Sequence, residues 1–231
     1  MKPAIRKISG TILPEYSKIL YFCNWISYCG YTSPPFHNCL PQEPGGTNTS
    51  FNMEQPLCRA PIVLTTQRLQ LREMNFADMQ SLSSILQDEK VMYAYNGAFS
   101  AQETAAWMQK QLQRYKEFGF GLWAVSLKNT EEMIGQCGIT MQDYKGIQVP
   151  EIGYLFAYKY WHNGYATEAA IGCREYGFGT LHFKSLYSII RDTNIPSQKV
   201  AVRNGMKKVD TIIKHYRGVE MPHWVYRITK N

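Results

Sequence analysis

The sequence predicts an α/β fold of the α+β kind, with about seven strands and about four helices in one main domain. Two observations predict it. Between residues 65 and 229, runs with the alternating period of a strand are interspersed with runs that have the period of a helix. Around Gly164, an apolar run, a short polar turn and the residues Ala-Thr-Glu-Ala-Ala follow one another. A helix that begins in this way leaves backbone N–H groups free to bind an anion.

Residues 1–60 differ from the rest of the chain. Proline and glycine pairs interrupt them, and no amphipathic period persists. We therefore expect an irregular or poorly ordered N-terminal extension at residues 1–60 and a folded domain at residues 61–231. One hypothesis is that Met53 is the natural start. Another is that the extension packs on the domain or on a partner.

The composition favours a globular protein, because 45% of the 231 residues are hydrophobic and 19% are charged. Lysine and arginine outnumber aspartate and glutamate by 25 to 18, and the net charge of +7 suits an anionic partner. No run approaches the roughly 18 apolar residues of a membrane span, so we expect a cytoplasmic protein with no membrane partner. The six cysteines are irregularly spaced without any Cys-x-x-Cys pair, which predicts free thiols and no metal.

The first half of the domain shows three predicted elements and a loop. Residues 68–72 alternate polar and apolar residues, as a half-buried strand does, and residues 77–86 have a helical period. A loop is expected at residues 91–99. Ser100 and Glu103 then form a capping box in front of a long helix.

The second half contains most of the predicted strands. Residues 122–127 and 133–141 predict a hairpin, and the strand at residues 151–158 leads through the Gly164 turn into a helix. The remaining predicted segments are a strand at residues 186–190, a helix that starts at Pro196 and ends at Gly205, and an antiparallel pair of strands at residues 209–216 and 224–228.

Two motifs resemble those of a known family. Gly164 and Ala166 fit the pyrophosphate-binding loop of the GNAT acetyltransferase superfamily, Gln/Arg-x-x-Gly-x-Gly/Ala, although Trp161 stands where that motif has Gln or Arg. About thirty residues later, Asn194 and Ser197 fit the family's Asn-x-x-Ser/Ala segment. The chain is most similar to the branch of ribosomal-protein N-terminal (RimJ/RimL-type) acetyltransferases. The resemblance implies the GNAT fold, with a mixed, mostly antiparallel central sheet flanked by helices.

The resemblance also implies acetyl-CoA as cosubstrate and a set of residues that bind it. The strand before the loop would polarise the thioester through the backbone of Leu155, Phe156 and Ala157, where neighbouring strands splay apart. The pyrophosphate would lie on the loop, and Asn194 and Ser197 would contact the carrier. The predicted loop residues are His162, Asn163, Gly164, Tyr165, Ala166 and Thr167.

Two residues are candidates for proton transfer. Glu151 starts the strand and would act as general base, as a glutamate does at this place in the similar branch, whereas the alternative is a solvated strand end. Many GNAT enzymes carry a tyrosine acid seven residues after the motif asparagine, but this position is Ala201. Ser197 is the substitute acid, and its alternative role is to satisfy backbone donors in the first turn of a helix. Catalysis without a dedicated acid also stays open.

The acceptor site is expected to include Tyr93, Tyr95, Asn96 and Trp123, with simple packing as the alternative for each. The leading interpretation is an N-acetyltransferase in which a primary amine attacks acetyl-CoA directly. The amine is expected to be a protein N-terminus, or else another primary amine. Alternatives are a transferase for an antibiotic, polyamine or amino acid, and a non-catalytic CoA- or RNA-binding module. Nucleic acid is disfavoured as a partner, because no strand interleaves basic and aromatic residues. The protein is expected to be a monomer or homodimer.

Overall fold

The computed structural model describes residues 60–128, 130 and 132–230. These residues form one eight-stranded sheet with the strand order β1-β2-β3-β4-β5-β6-β8-β7 and five α-helices, which confirms the predicted fold class. The predictions for the N-terminal extension and for Met53 lie outside the described residues, apart from Ala60. The strands are β1 Ile62–Thr65, β2 Leu69–Arg72, β3 Leu122–Leu127, β4 Met133–Tyr144, β5 Ile147–Phe156, β6 Ser185–Arg191, β7 Lys207–Tyr216 and β8 Val219–Thr229.

The α-helices lie on both faces of the sheet. Alternate residues of β3 belong to two different cores, because side chains of a strand point to opposite faces. Trp123 and Val125 pack in the core that includes α4 and α5, whereas Leu122 and Ala124 pack in the core that includes α1 and α3. The helices are α1 Met79–Leu86, α2 Glu89–Met92, α3 Ala101–Phe118, α4 Tyr165–Gly179 and α5 Ile195–Arg203.

Two elements differ from the sequence-based expectation. Strand β1 precedes the predicted first strand and pairs with β2 in antiparallel orientation. Helix α2 occupies part of the predicted loop at residues 91–99, and the Asp88 side chain caps it by accepting from the Lys90 N–H at 2.8 Å. Each element has four residues, which is too short for a hydrophobic period to show.

Strands β4 and β5 form a hairpin with each other, and both are longer than the strands predicted at residues 133–141 and 151–158. Their pairing runs from Gly135 opposite Phe156 to Tyr144 opposite Ile147, so most of the residues between the two predicted strands belong to strands. Lys145 and Gly146 make the two-residue turn with φ of 55° and 80°. Positive φ at both positions is the geometry of a tight hairpin turn, and its twist matches that of the strands.

The sheet opens between β5 and β6. These strands are the parallel pair, and their ladder contains a single position, Glu151 opposite Tyr187. Beyond it, side chains bridge the strands. The Ser188 hydroxyl donates to the Ile152 carbonyl at 2.8 Å, and the Ile189 N–H donates to the Glu151 carboxylate at 2.8 Å. An opening therefore lies at the carboxyl end of β5, as the resemblance implied.

No helix in the described part of the chain is long and apolar enough to cross a membrane.

Candidate active site

A large cleft of about 1030 Å³ extends from the end of β5 along the start of α4 to α5. Nine of the residues predicted to bind the cosubstrate line it, although they come from three separate segments of the chain. These residues are Leu155, Phe156, His162, Gly164, Tyr165, Ala166, Thr167, Asn194 and Ser197. Asn163 and Ala157 are absent from the described lining of this cleft.

The start of α4 presents free N–H groups to the large cleft. Gly164 is the N-cap residue, and its φ of 79° is a left-handed conformation that glycine adopts without strain. Its carbonyl accepts the first helical hydrogen bond, from the Glu168 N–H at 3.0 Å. The amides of Tyr165, Ala166 and Thr167 precede that bond in the first turn, where backbone donors have no helical acceptor. With the positive end of the helix dipole, they can hold a pyrophosphate.

A polar cluster of Thr66, Arg68 and Glu168 holds this turn in place. Local sequence patterns did not predict it. The Glu168 carboxylate accepts from the Thr66 hydroxyl at 2.6 Å and from the Arg68 guanidinium at 2.6 Å. Arg68 also donates to the Asn163 carbonyl at 3.1 Å and lies 4.6 Å from the centre of the Tyr165 ring. Burial raises the pKa of Glu168, but these hydrogen bonds outweigh burial and lower it. Glu168 therefore stays ionised and holds the turn against the β1–β2 connection.

The backbone of β5 offers one of the three predicted amides to the opening. The Ala157 N–H donates to the Ile134 carbonyl at 2.9 Å, so it faces β4. Along an antiparallel ladder, successive backbone N–H groups point alternately toward and away from the partner strand. The Leu155 N–H, two residues before that of Ala157, therefore also points toward β4. The Phe156 amide faces the opening, and its carbonyl accepts from the Trp161 indole N–H at 2.8 Å. The expectation that the Leu155 and Ala157 amides donate to the thioester is therefore wrong. Of the three residues, Phe156 alone directs its amide to the opening.

A small cavity of about 310 Å³ adjoins the large cleft. The two spaces share four lining residues, which identifies the place where they meet: Tyr154, Leu155, Asn194 and Ser197. Glu151 lines the small cavity on the far side of Tyr154 along β5. A ligand in the large cleft and a second ligand in the small cavity would therefore meet at this junction.

Glu151 is a partly buried carboxylate with a defined partner. Its Oε1 accepts from the Ile189 N–H at 2.8 Å, so it serves a backbone donor that the opened sheet leaves without a strand partner. Burial raises the pKa of Glu151, while Lys214, the Ile189 N–H and Arg114 act in the opposite direction. A carboxylate with a raised pKa is a stronger base than an ordinary one, which suits it to accept a proton.

Ser197 lies at the junction with its backbone fully engaged. Its N–H donates to the Asn194 side-chain oxygen at 3.2 Å, and its carbonyl accepts from the Tyr154 hydroxyl at 2.7 Å. Asn194, not Ser197, caps α5, and within the described residues the Ser197 hydroxyl has no hydrogen-bond partner. The Asn194 oxygen also accepts from the Tyr93 hydroxyl at 2.8 Å. Ala201, which stands where the resemblance would place a tyrosine acid, is buried in the core.

The predicted acceptor residues divide into three groups. Tyr95 lines the small cavity and Tyr93 lines the large cleft. Asn96 has a φ of 61°, lies in neither described lining, and accepts from Arg217 through its carbonyl at 3.3 Å. Trp123 is fully buried with its ring 5.3 Å from that of Tyr176. The expectation that Trp123 binds the acceptor is therefore wrong, because its strand position points into the core.

Tyr154 was missed because its position in the strand placed it with Ile152 and Phe156, on the face opposite Glu151. Its hydroxyl reaches the junction and joins β5 to α5 through the Ser197 carbonyl. Burial raises its pKa well above the ordinary value, so the hydroxyl keeps its proton and positions α5 as a donor.

Within residues 60–128, 130 and 132–230, no group of three or more histidine, cysteine, aspartate or glutamate side chains is arranged to hold a metal ion.

The parallel strand pair that opens beside the start of α4 is the arrangement that the resemblance to acyl-CoA-dependent acyltransferases implied. Residues 68–207 match the family model described as an acetyltransferase (GNAT) domain. The chain belongs to the GNAT acetyltransferase family.

The chain is similar in sequence to two Bacillus subtilis proteins, one of which is named as an N-acetyltransferase. The uncharacterized protein YkkB of Bacillus subtilis (strain 168) is 39% identical over 152 residues, which are 65% of this chain and 88% of YkkB. The uncharacterized N-acetyltransferase YnaD of the same strain is 32% identical over 146 residues, covering 63% of this chain and 82% of YnaD.

Solved structures share the fold. An acetyltransferase from Agrobacterium tumefaciens has a TM-score of 0.63 and 27% identity, covering 80% of this chain and 100% of the other. RimL, a ribosomal alpha-N-protein acetyltransferase in complex with coenzyme A, has a TM-score of 0.60 over 73% of this chain and 98% of RimL. RimL is 15% identical, so this likeness concerns the fold.

Proposed function

We propose that this protein transfers the acetyl group of acetyl-CoA to the N-terminal amine of a protein by direct attack, without a covalent enzyme intermediate. The observation that carries the proposal is the junction of two spaces, one beside a helix start suited to pyrophosphate and one that contains Glu151. The choice of a protein N-terminus as acceptor follows the resemblance of the motifs at Gly164 and Asn194 to those of the ribosomal-protein N-terminal acetyltransferases.

The residues of the large cleft would hold acetyl-CoA in an extended form. The first-turn amides of α4 would bind its pyrophosphate, and the opening between β5 and β6 would admit its pantetheine arm. At the junction, the Phe156 N–H would donate to the thioester oxygen and stabilise the charge that develops there.

The small cavity would present the acceptor amine to the thioester. When the amine nitrogen forms its bond to the carbonyl carbon, the carbon–sulfur bond breaks and the thiolate leaves. Glu151 would take the proton released by the amine, directly or through a water molecule. The Ser197 hydroxyl would donate a proton to the leaving sulfur and regain one from solvent water. Glu151 would release the proton of the amine to solvent, so the net products are the amide and the CoA thiol. An N-terminal amine, with a pKa near 8, needs less help from a base than lysine, with a pKa of about 10.4.

The proposal is tested by titrating the protein with acetyl-CoA and, separately, with a short single-stranded RNA in a calorimeter. We expect roughly micromolar binding of acetyl-CoA, which corresponds to about 8 kcal/mol, and no heat with RNA. Mass spectrometry then identifies acetylation of peptide N-termini. RNA binding without acetyl-CoA binding would refute the enzyme assignment, and acetylation confined to free small amines would refute the protein acceptor.

Replacing Ser197 with alanine is expected to reduce kcat by about tenfold, because the leaving thiolate loses a donor but remains a fairly good leaving group. The KM for acetyl-CoA should stay the same, since the backbone of Ser197 makes the contacts that position α5. Steady-state kinetics separate the two constants. An unchanged kcat would show that the thiolate leaves without help from this residue.

We also propose that residues 61–231 form the catalytic domain and that the protein acts in the cytoplasm as a monomer or homodimer. The free thiols of Cys137 and Cys173 support a reducing compartment, because they lie buried with their sulfur atoms 3.5 Å apart.

A further inference from the structure

The small cavity is strongly basic. In its described lining, four cationic side chains surround a single carboxylate, that of Glu151. Lys110 and Arg114 come from α3 on one side, Arg191 from the end of β6, and Lys214 from β7. Since these segments are far apart in the sequence, only the folded protein shows that the charges converge.

Within the described residues, none of these four cations has a carboxylate within 4.0 Å. Arg114 donates to the Gln111 side-chain oxygen at 3.2 Å, and Arg191 donates to the Tyr93 carbonyl at 3.2 Å, so their described partners are neutral. Two basic side chains that follow Lys214 along the chain do have carboxylate partners. Arg217 pairs with Glu103, and His215 lies 3.0 Å from Glu220.

Desolvation acts on the two cations on α3, of which Lys110 is exposed and Arg114 is partly buried. Desolvation lowers the pKa of Arg114, although Glu151 acts in the opposite direction. Desolvation and the nearby charge of Arg114 lower the pKa of Lys110. Positive charges gathered in a partly desolvated cavity attract an anion and disfavour a second cation.

We infer that the acceptor carries an acidic side chain within its first residues, so that a carboxylate enters the small cavity with the amine. This inference rests on the proposed function and names the class of its acceptor. Glu151 lies beside the junction, where the amine reacts, while Lys110, Arg114 and Lys214 line the same cavity from α3 and β7. The same field favours the neutral form of the amine, which is the form that attacks.

The inference is tested with two tetrapeptide amides, Ala-Asp-Gly-Gly and Ala-Asn-Gly-Gly, which differ by one charge and share the same amine. We expect kcat/KM to be about tenfold higher for the aspartate peptide, mainly through a lower KM, because electrostatic complementarity acts on binding. Free aspartate is compared in parallel to separate a small carboxylated amine from a peptide.

Lys214→Gln should reduce the preference for the aspartate peptide over the asparagine peptide severalfold. Its effect on the pKa of Glu151 acts on both peptides alike and cancels in the ratio of their kcat/KM values. Lys116→Gln is the matched control, because Lys116 is an exposed cation on α3 outside the described lining of the cavity. It should retain the full preference. Equal loss of preference in both variants would indicate a general effect of net charge and would overturn the inference.

The affinity of each peptide for the protein saturated with CoA is also measured by calorimetric titration. This measurement tests the inference even if neither peptide is acetylated. Tighter binding of the aspartate peptide supports the inference even if no peptide is acetylated, a result that would count against the proposed function alone. Equal affinity and equal kcat/KM for the two peptides would overturn the inference and leave the proposed function standing. Acetylation of free aspartate but of neither peptide supports the anionic acceptor and rejects the protein N-terminus.

Discussion

Gly164→Val is expected to weaken acetyl-CoA binding by about hundredfold. A left-handed φ costs an L-residue about 1–2 kcal/mol, and a β-branched residue is the least suited to it, so the turn would shift out of its present shape. Any shift moves the first-turn amides of α4, which must converge on one pyrophosphate. A Cβ at this position would also lie 3.5 Å from the Arg68 guanidinium that holds the turn.

Gly146→Val separates loss of the binding site from loss of stability. Gly146 has nearly the same φ, 80°, and a Cβ there would meet no atom within 4 Å. It lies in the turn between β4 and β5, so both variants carry a similar backbone strain and should lose similar stability. Calorimetric titration with acetyl-CoA measures the affinities. Equal affinity of Gly164→Val and the native protein would mean that this turn does not bind the pyrophosphate.

The sequence revealed the large cleft because its essential parts are local. A glycine at a strand-to-helix turn and an asparagine at the start of a helix each imply a backbone geometry within a few residues. Most of the predicted cosubstrate residues therefore line one cleft in the structure. Trp123 was assigned incorrectly since an aromatic in a strand gives no indication of which face it occupies.

The parts that escaped prediction depend on contacts between distant segments. Thr66 and Arg68 meet Glu168 across about a hundred positions of the chain, and no local period encodes that contact. The basic character of the small cavity has the same origin, because α3, β6 and β7 each contribute cations that look solvated when read singly. Tyr154 shows that strand alternation predicts a face but not how far a long side chain reaches.

Glu151 carries a cost in stability that its proposed role would explain. Its pKa is raised in the folded protein, so the ionised form is less favourable there than in the unfolded chain. That cost is absent below the ordinary carboxyl pKa, grows as the pH rises, and is complete above the raised pKa. A buried acceptor for the Ile189 N–H could be a neutral amide, so hydrogen bonding alone does not require a carboxylate here.

Glu151→Gln is therefore expected to lower the rate and raise the stability together. A glutamine keeps an oxygen for the Ile189 N–H and removes the buried charge, so the thermal midpoint above neutral pH should equal or exceed that of the native protein. Loss of a general base should reduce kcat/KM by about hundredfold near neutral pH. The difference in kcat/KM between the variant and the native protein should become smaller as the pH rises past about 8, where an N-terminal amine is already neutral.

The combination of rate and stability distinguishes a base from a structural residue. The matched control is Glu117→Gln, which removes an exposed carboxylate on α3 outside both described linings and should leave the pH profile the same. A purely structural Glu151 would give a variant that is less stable and equally impaired at every pH. A native pH profile in Glu151→Gln would exclude this carboxylate as the base. A slower but more stable variant would show that the charge is held in the fold for the reaction.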